Sequence, residues 1–365
     1  MRNMPNLPPV LRTKRLLHLD LLRIIAIFFV IFNHTGDRGY MLFADSMGSV
    51  LYFPYMAVSV LCKVAVPVFF MISGALLLPK QESYKDLFTK RVLRMAVVLL
   101  LISVPYYIWL HRSQGLSLSC FLTYIYGDSA STSLWYLYSY IALLLMLPFL
   151  RSMIRGMKEK DFLYLIAGYI LVMGVVPCLE FCLWQGHVTI HESFSPILFM
   201  VPNIFFALIG YYLEHVLDFR KNRTRRILIG ITFSVVAVAL TCVMTDYWMR
   251  TTSKHSTEQL ERFFDCFICI PAMSVYCIMK CAGEKICSAK MQKLLPLLGG
   301  ATFGIYLTEK FSRAITDTIY TLTTPFLGSF AASVLWAFSS LIVSLLVILL
   351  SKNIPVVKKI VNKFI

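Results

Sequence analysis

An all-α protein that crosses a membrane about ten times, with both termini on the cytoplasmic side, is the fold predicted for this chain. Three observations predict it. Of 365 residues, 58% are hydrophobic and only 15% charged, far from the roughly 25% charge of soluble domains. The apolar residues gather into runs near the roughly 20 residues that span a bilayer core. Lys and Arg alternate between rich and poor loops from one run to the next.

Spans are expected at about 18–37, 55–78, 91–110, 133–150, 161–180, 194–213, 226–245, 263–282, 294–313 and 326–350. The first follows a basic N-terminal segment, but no small-residue cleavage site succeeds a short apolar core, so it reads as a retained helix. Arg23 and His34 interrupt it, Lys63 interrupts the second, and Arg91 and Arg94 open the third. The fourth is also broken by polar residues. The fifth to eighth are apolar, and the ninth carries Gly300-x-x-x-Gly304, a close-packing signature, and Glu309. The tenth is apolar throughout. Lipid leaves unpaired backbone groups unsatisfied, and strand alternation is absent, so the runs read as helices.

With the N-terminus placed in the cytoplasm, 26 Lys and Arg fall on cytoplasmic segments and 7 on the opposite loops, with Arg23 and Lys63 inside spans. The cytoplasmic segments net +18, which accounts for the overall +16 as topology. A nucleic-acid partner is not implied. The composition also excludes an ordinary cytosolic enzyme, a disordered chain and a secreted disulfide scaffold. Loops of at most about 20 residues leave no room for a soluble domain. The chain is expected to be one membrane domain over residues 1–365, with function inside the bundle.

Ionisable groups at membrane depth are costly and mark function more often than chance placement would. Arg23 and His34 are eleven residues apart, about three turns and about 16 Å on one helix face. A snorkelling arginine and a helix-end histidine are the plainer alternative. Asp37, one turn beyond His34, is placed to orient its imidazole. Arg91 and Arg94 share a face at i, i+3, and paired guanidinium groups suit phosphate recognition; topology decoration is the alternative. Lys63 reads either as a site residue or as a snorkelling cation. Glu309 reads either as a site carboxylate or as a helix-end partner of Arg313, and Trp135 as a site aromatic or an interfacial anchor.

The run Asp20-Leu-Leu-Arg23, an apolar stretch, then His34 resembles the first helix of the integral-membrane acyltransferases termed acyl transferase family three. So do Val66-Pro67-Val68-Phe69-Phe70-Met71-Ile72-Ser73-Gly74, Arg91-x-x-Arg94, Ser133-Leu134-Trp135-Tyr136-Leu137, Phe206-Ala207-Leu208-Ile209-Gly210-Tyr211 and Phe303-Gly304-Ile305-Tyr306-Leu307, in the family's order along the whole chain. Ala75 departs from the phenylalanine frequent after Ser-Gly, and Glu309 stands near a position where relatives often have histidine. Many relatives carry an appended esterase-like domain, and none is expected here.

The resemblance implies transfer of an acyl group, acetyl by default, from cytoplasmic acyl-CoA to a hydroxyl of a cell-surface or lipid-linked glycan. Acyl-CoA is then a co-substrate; no permanently bound cofactor and no metal is implied. Arg91 and Arg94 would bind its phosphates. His34, Arg23, Asp37 and Glu309 would form the catalytic set, with His34 as general base or as a transient acyl carrier. Lys63, Ser73 and Trp135 would contact substrate; Lys63, Ser73 or Asn33 could supply oxyanion donors. Partners are the donor, the glycan acceptor and membrane lipid, with self-association left open. The expected location is a bacterial plasma membrane. A transporter or flippase for a lipid-linked sugar is the alternative from another class.

Other motifs carry less. Gly127-Asp128-Ser129 has no surrounding esterase fold. His187 and His191 are i, i+4, but a zinc-protease motif needs Glu where Val188 stands. The ten cysteines fall mostly in apolar runs and read as small packing residues.

Overall fold

The computed structural model describes residues 16–351 apart from 114, 128–131, 219–221, 253–256 and 287. Among the described residues it is helical and holds no strand. Helices occupy all ten expected segments: α1 (Leu17–Asn33), α2 (Tyr52–Leu77), α3 (Tyr84–His111), α4 (Trp135–Ile154), α5 (Glu159–Trp184), α6 (Pro202–Tyr211), α7 (Arg223–Thr251), α8 (Cys269–Glu284), α9 (Ala289–Ile315) and α10 (Asp317–Ser351). Six of these, α2, α3, α4, α5, α7 and α10, are long and apolar enough to cross a membrane. The other four are shorter or more polar than the expected ten crossings required. The helices α1, α6 and α8 run to 17, 10 and 16 residues, while α9, at 27 residues, carries Gly299, Gly300, Thr302 and Glu309 among its apolar residues.

Helix α1 lies at the centre, packed against α2, α8, α9 and α10. Leu22, Ala26, Ile27 and Ile31 are buried there. The longest apolar helices lie outside it and leave Leu100, Leu101, Leu171, Phe233, Val235 and Leu346 exposed, as a lipid-facing surface requires. The closest helix crossing joins α2 to α6. Gly74 lies against the Ala207 backbone and Gly210 against the Met71 backbone, and a Cβ on either glycine would overlap a carbonyl.

Two backbone irregularities bear on the site. Pro67 has no N–H to donate to the Lys63 carbonyl, and α2 breaks into turns at Lys63–Val64. In α3 a π-helical turn spans Phe88–Val92, directly before Arg94. Such turns insert one residue and shift the faces that follow. Helix α10 holds a third: Gly328 adopts φ 75°, ψ 163° and divides it into two helices, so the expected run at 326–350 is preceded by a separate helical piece.

Candidate functional site

Side chains from most of these helices converge on one cavity of about 860 Å³. That is ample for a small-molecule site. Its lining draws on all six sequence motifs: Arg23 and His34 from α1, Pro67, Phe69 and Ser73 from α2, Arg94 from α3, Ser133, Trp135 and Tyr136 at the start of α4, Phe206 from α6, and Phe303 and Tyr306 from α9. Tyr136, Tyr140, Phe69 and Tyr306 give it largely aromatic walls.

His34 sits just past the last turn of α1, its N–H donating to the Val30 carbonyl at 3.1 Å. Its Nδ1 lies 2.8 Å from Glu309 Oε1. Glu309 is 0% exposed, and Arg313 Nε donates to its other oxygen at 3.3 Å. Arg313 also donates to the His34 carbonyl, so one guanidinium ties α9 to the end of α1. A carboxylate held by Arg313 accepts from a protonated Nδ1, and the same His34 lines the cavity.

This corrects one expectation. Asp37 does not orient His34: α1 stops at Asn33, Gly36 adopts φ 58°, and Asp37 falls in an exposed 3₁₀ turn. The carboxylate on the imidazole comes from α9. Glu309 also pairs with Arg313, its two oxygens taking one partner each.

The two arginines of α3 part company. Arg94 lines the cavity, and its Nε is buried without a hydrogen-bond partner. Arg91 is turned to Glu82, to which Nε donates at 2.7 Å and Nη2 at 2.5 Å. Glu82 also accepts from Arg151 at 2.8 Å, and Arg151 donates to the Leu77 carbonyl that ends α2. Arg91 donates strongly enough to hold the Glu82 carboxyl down at about 2, aided by Arg151 and opposed by burial. Both arginines lie near Tyr140, but only Arg94 is on the lining, and the π turn ends between them.

Arg23 lines the cavity while Nη1 donates to buried Asp20 at 2.9 Å. Lys63 does not snorkel away; its Nζ lies 2.5 Å from Glu261 Oε2 and the pair lines the cavity. Ser73 is at the wall, but its hydroxyl donates to the Phe69 carbonyl at 2.8 Å, within its own helix. Trp135 is half exposed at the cavity rim. Sequence reasoning passed over Tyr40, Glu261, Asp265 and Tyr140, all on the lining, and the Glu82–Arg151 pair. Asp128 and Ser129 of the Gly-Asp-Ser run lie outside the described residues.

A family model described as an acyltransferase domain, that of acyltransferase family 3, matches residues 16–352. The chain belongs to acyltransferase family 3. No curated protein and no solved structure matches it. With six apolar helices of spanning length, this family member is a multi-pass membrane acyltransferase.

Proposed function

We propose that this acyltransferase carries an acyl group, acetyl by default, from cytoplasmic acyl-CoA to a hydroxyl of a cell-surface or lipid-linked glycan at the plasma membrane. One observation carries the reading: a histidine backed by a buried carboxylate faces a cavity that also receives a buried, unpartnered arginine nitrogen. The positive-inside pattern puts the Arg23 and Arg94 end in the cytoplasm, where acyl-CoA is found. Arg94 takes the donor's phosphates, and the pantetheine arm runs along the aromatic walls past Arg23 toward His34. Arg91, committed to Glu82, acts by fixing the start of α3.

The acceptor hydroxyl gives its proton to His34 Nε2 as its oxygen bonds to the thioester carbonyl carbon. The tetrahedral intermediate then collapses, the C–S bond breaks, and the imidazolium returns the proton to the CoA sulfur. Glu309 stabilises the imidazolium between those two steps and keeps Nε2 aimed at the cavity.

The test is a vesicle assay in which labelled acetyl-CoA is supplied on one side and incorporation into a glycan acceptor is measured, with protein level controlled. His34→Ala should abolish incorporation; undiminished transfer would remove His34 from the chemistry. Movement of a lipid-linked sugar without acyl-CoA would instead favour a carrier.

A further inference from the structure

The cavity is bipolar. Arg23 and Arg94 line it from α1 and α3, while Tyr40 stands beside Glu261, Asp265 and Cys62 and forms a second wall with Lys63 and Asn33. The Asn33 amide donates to the Cys62 carbonyl at 3.4 Å, which brings the Lys63 kink of α2 level with the end of α1. Lys63 and Glu261 neutralise each other. Asp265 lines the cavity as an additional, exposed carboxylate. The turn that presents both acids is pinned: the Phe264 N–H donates to the Glu261 carbonyl at 2.9 Å, and Tyr169 donates to the Asp265 carbonyl at 3.1 Å.

Two polar atoms on this wall are left open to a ligand. Tyr40 is 2% exposed and its hydroxyl lies beside the Glu261 carboxylate without a well-formed hydrogen bond, and Asn33 Oδ1 is buried without a partner. A buried polar atom left unpaired is costly, and such orphans at a cavity wall mark where a ligand atom sits.

We infer that Tyr40, Asn33, Lys63, Glu261 and Asp265 form an acceptor subsite that takes an uncharged or amino-bearing polyhydroxyl ring and disfavours one bearing a carboxylate. Ring hydroxyls and an ammonium group donate to Glu261, Asp265 and Asn33 Oδ1, while Tyr40 and Lys63 donate to ring oxygens. With Asp265 ionised the wall carries a formal charge of −1 and repels an anionic ring, so the specificity is built partly from rejection. The inference rests on the acyl-transfer reading only in calling the ligand an acceptor.

The experiment measures binding of methyl glucoside, methyl glucosaminide and methyl glucuronide to the detergent-solubilised full chain, with acetyl-CoA binding measured separately on every sample. The neutral and amino glycosides should bind about tenfold or more tightly than the glucuronide. Asp265→Asn and Tyr40→Phe should each weaken the favoured pair while acetyl-CoA binding persists. The double variant Glu261→Gln with Asp265→Asn leaves Lys63 uncompensated and should bind the glucuronide about tenfold more tightly than the parent, a gain that misfolding does not produce. A glucuronide bound as well as the others, no glycoside bound at all, or variants without effect would overturn the subsite. Loss of acetyl-CoA binding with glycoside binding intact would instead strike the acyl-transfer reading and leave the subsite standing.

Discussion

His34 and Glu309 are 275 residues apart in sequence, yet Nδ1 of one lies 2.8 Å from Oε1 of the other. The contact ties the end of the central helix to α9 and makes Nδ1 the nitrogen that donates to the carboxylate. Glu309→Gln preserves size but offers an amide that no longer secures that tautomer or stabilises an imidazolium. A fall in kcat of about 10²–10⁴-fold is expected, with the KM for acyl-CoA unchanged. Asp37→Asn, at an exposed turn away from the ring, should change kcat less than about twofold. Steady-state kinetics in reconstituted vesicles decide between the two carboxylates.

The divergent settings of Arg91 and Arg94 separate binding from stability. Arg94→Ala should weaken acyl-CoA binding about tenfold or more, since a cation facing the cavity is lost, and should leave the melting temperature nearly unchanged. Arg91→Ala should do the reverse: it strips Glu82 of its bidentate partner and lowers the melting temperature, with a smaller effect on acyl-CoA affinity. Titration with labelled acyl-CoA beside a thermal unfolding assay checks both halves. Equal loss of affinity in the two variants would restore the paired phosphate fork expected from their i, i+3 spacing.

The parts of this site that could be read from sequence are those set by local geometry or by a motif. Arg23 and His34 share a face because eleven residues nearly complete three turns, and both reach the cavity. The helical class followed from the apolar runs. The side chain that orients His34 was not legible in the same way. Asp37 was the nearest carboxylate in sequence, but α1 ends before it, and only the packing of α9 against α1 brings Glu309 to the ring. Glu261 and Asp265 were hidden for a related reason. Glu261 precedes the span expected at 263–282 and Asp265 opens it, and only the kink of α2 carries Lys63 to them. The commitment of Arg91 to Glu82 was equally hard to foresee, because only the packing of α3 and α4 at the end of α2 brings Arg91, Arg151 and Glu82 together.

Glu82 joins the end of α2, the start of α3 and the end of α4 through Arg91 and Arg151. Glu82→Gln should cost about 1–3 kcal/mol of stability. The pH dependence has a definite sign. A carboxylate held at about 2 in the folded chain, against an unfolded value of about 4.3, contributes its full stabilisation above the unfolded value. That contribution is lost as pH falls from there through the folded one. The difference in melting temperature between the parent and Glu82→Gln should therefore be flat from about pH 5 to 8 and shrink progressively below about pH 4. A difference that instead varied between pH 6 and 8 would point to a group other than Glu82.

The crossing of α2 and α6 sets the cavity's width, because Ser73 sits beside Gly74 on one helix and Phe206 beside Ala207 on the other, and both Ser73 and Phe206 line the cavity. Gly210→Ala places a methyl group against the Met71 carbonyl, a backbone atom that no rotamer change can move aside. The helices must then separate, at about 1–3 kcal/mol for an overpacked contact. Activity should fall together with thermal stability, and Gly74→Ala, which meets the Ala207 carbonyl, should behave alike. Gly156→Ala serves as the control. Its added Cβ comes no nearer than 3.9 Å to the Met153 carbonyl, an ordinary contact, so melting temperature and acyl transfer should stay close to the parent's. If Gly210→Ala and Gly156→Ala behaved identically in both assays, the close α2–α6 crossing would not be what holds the cavity walls in place.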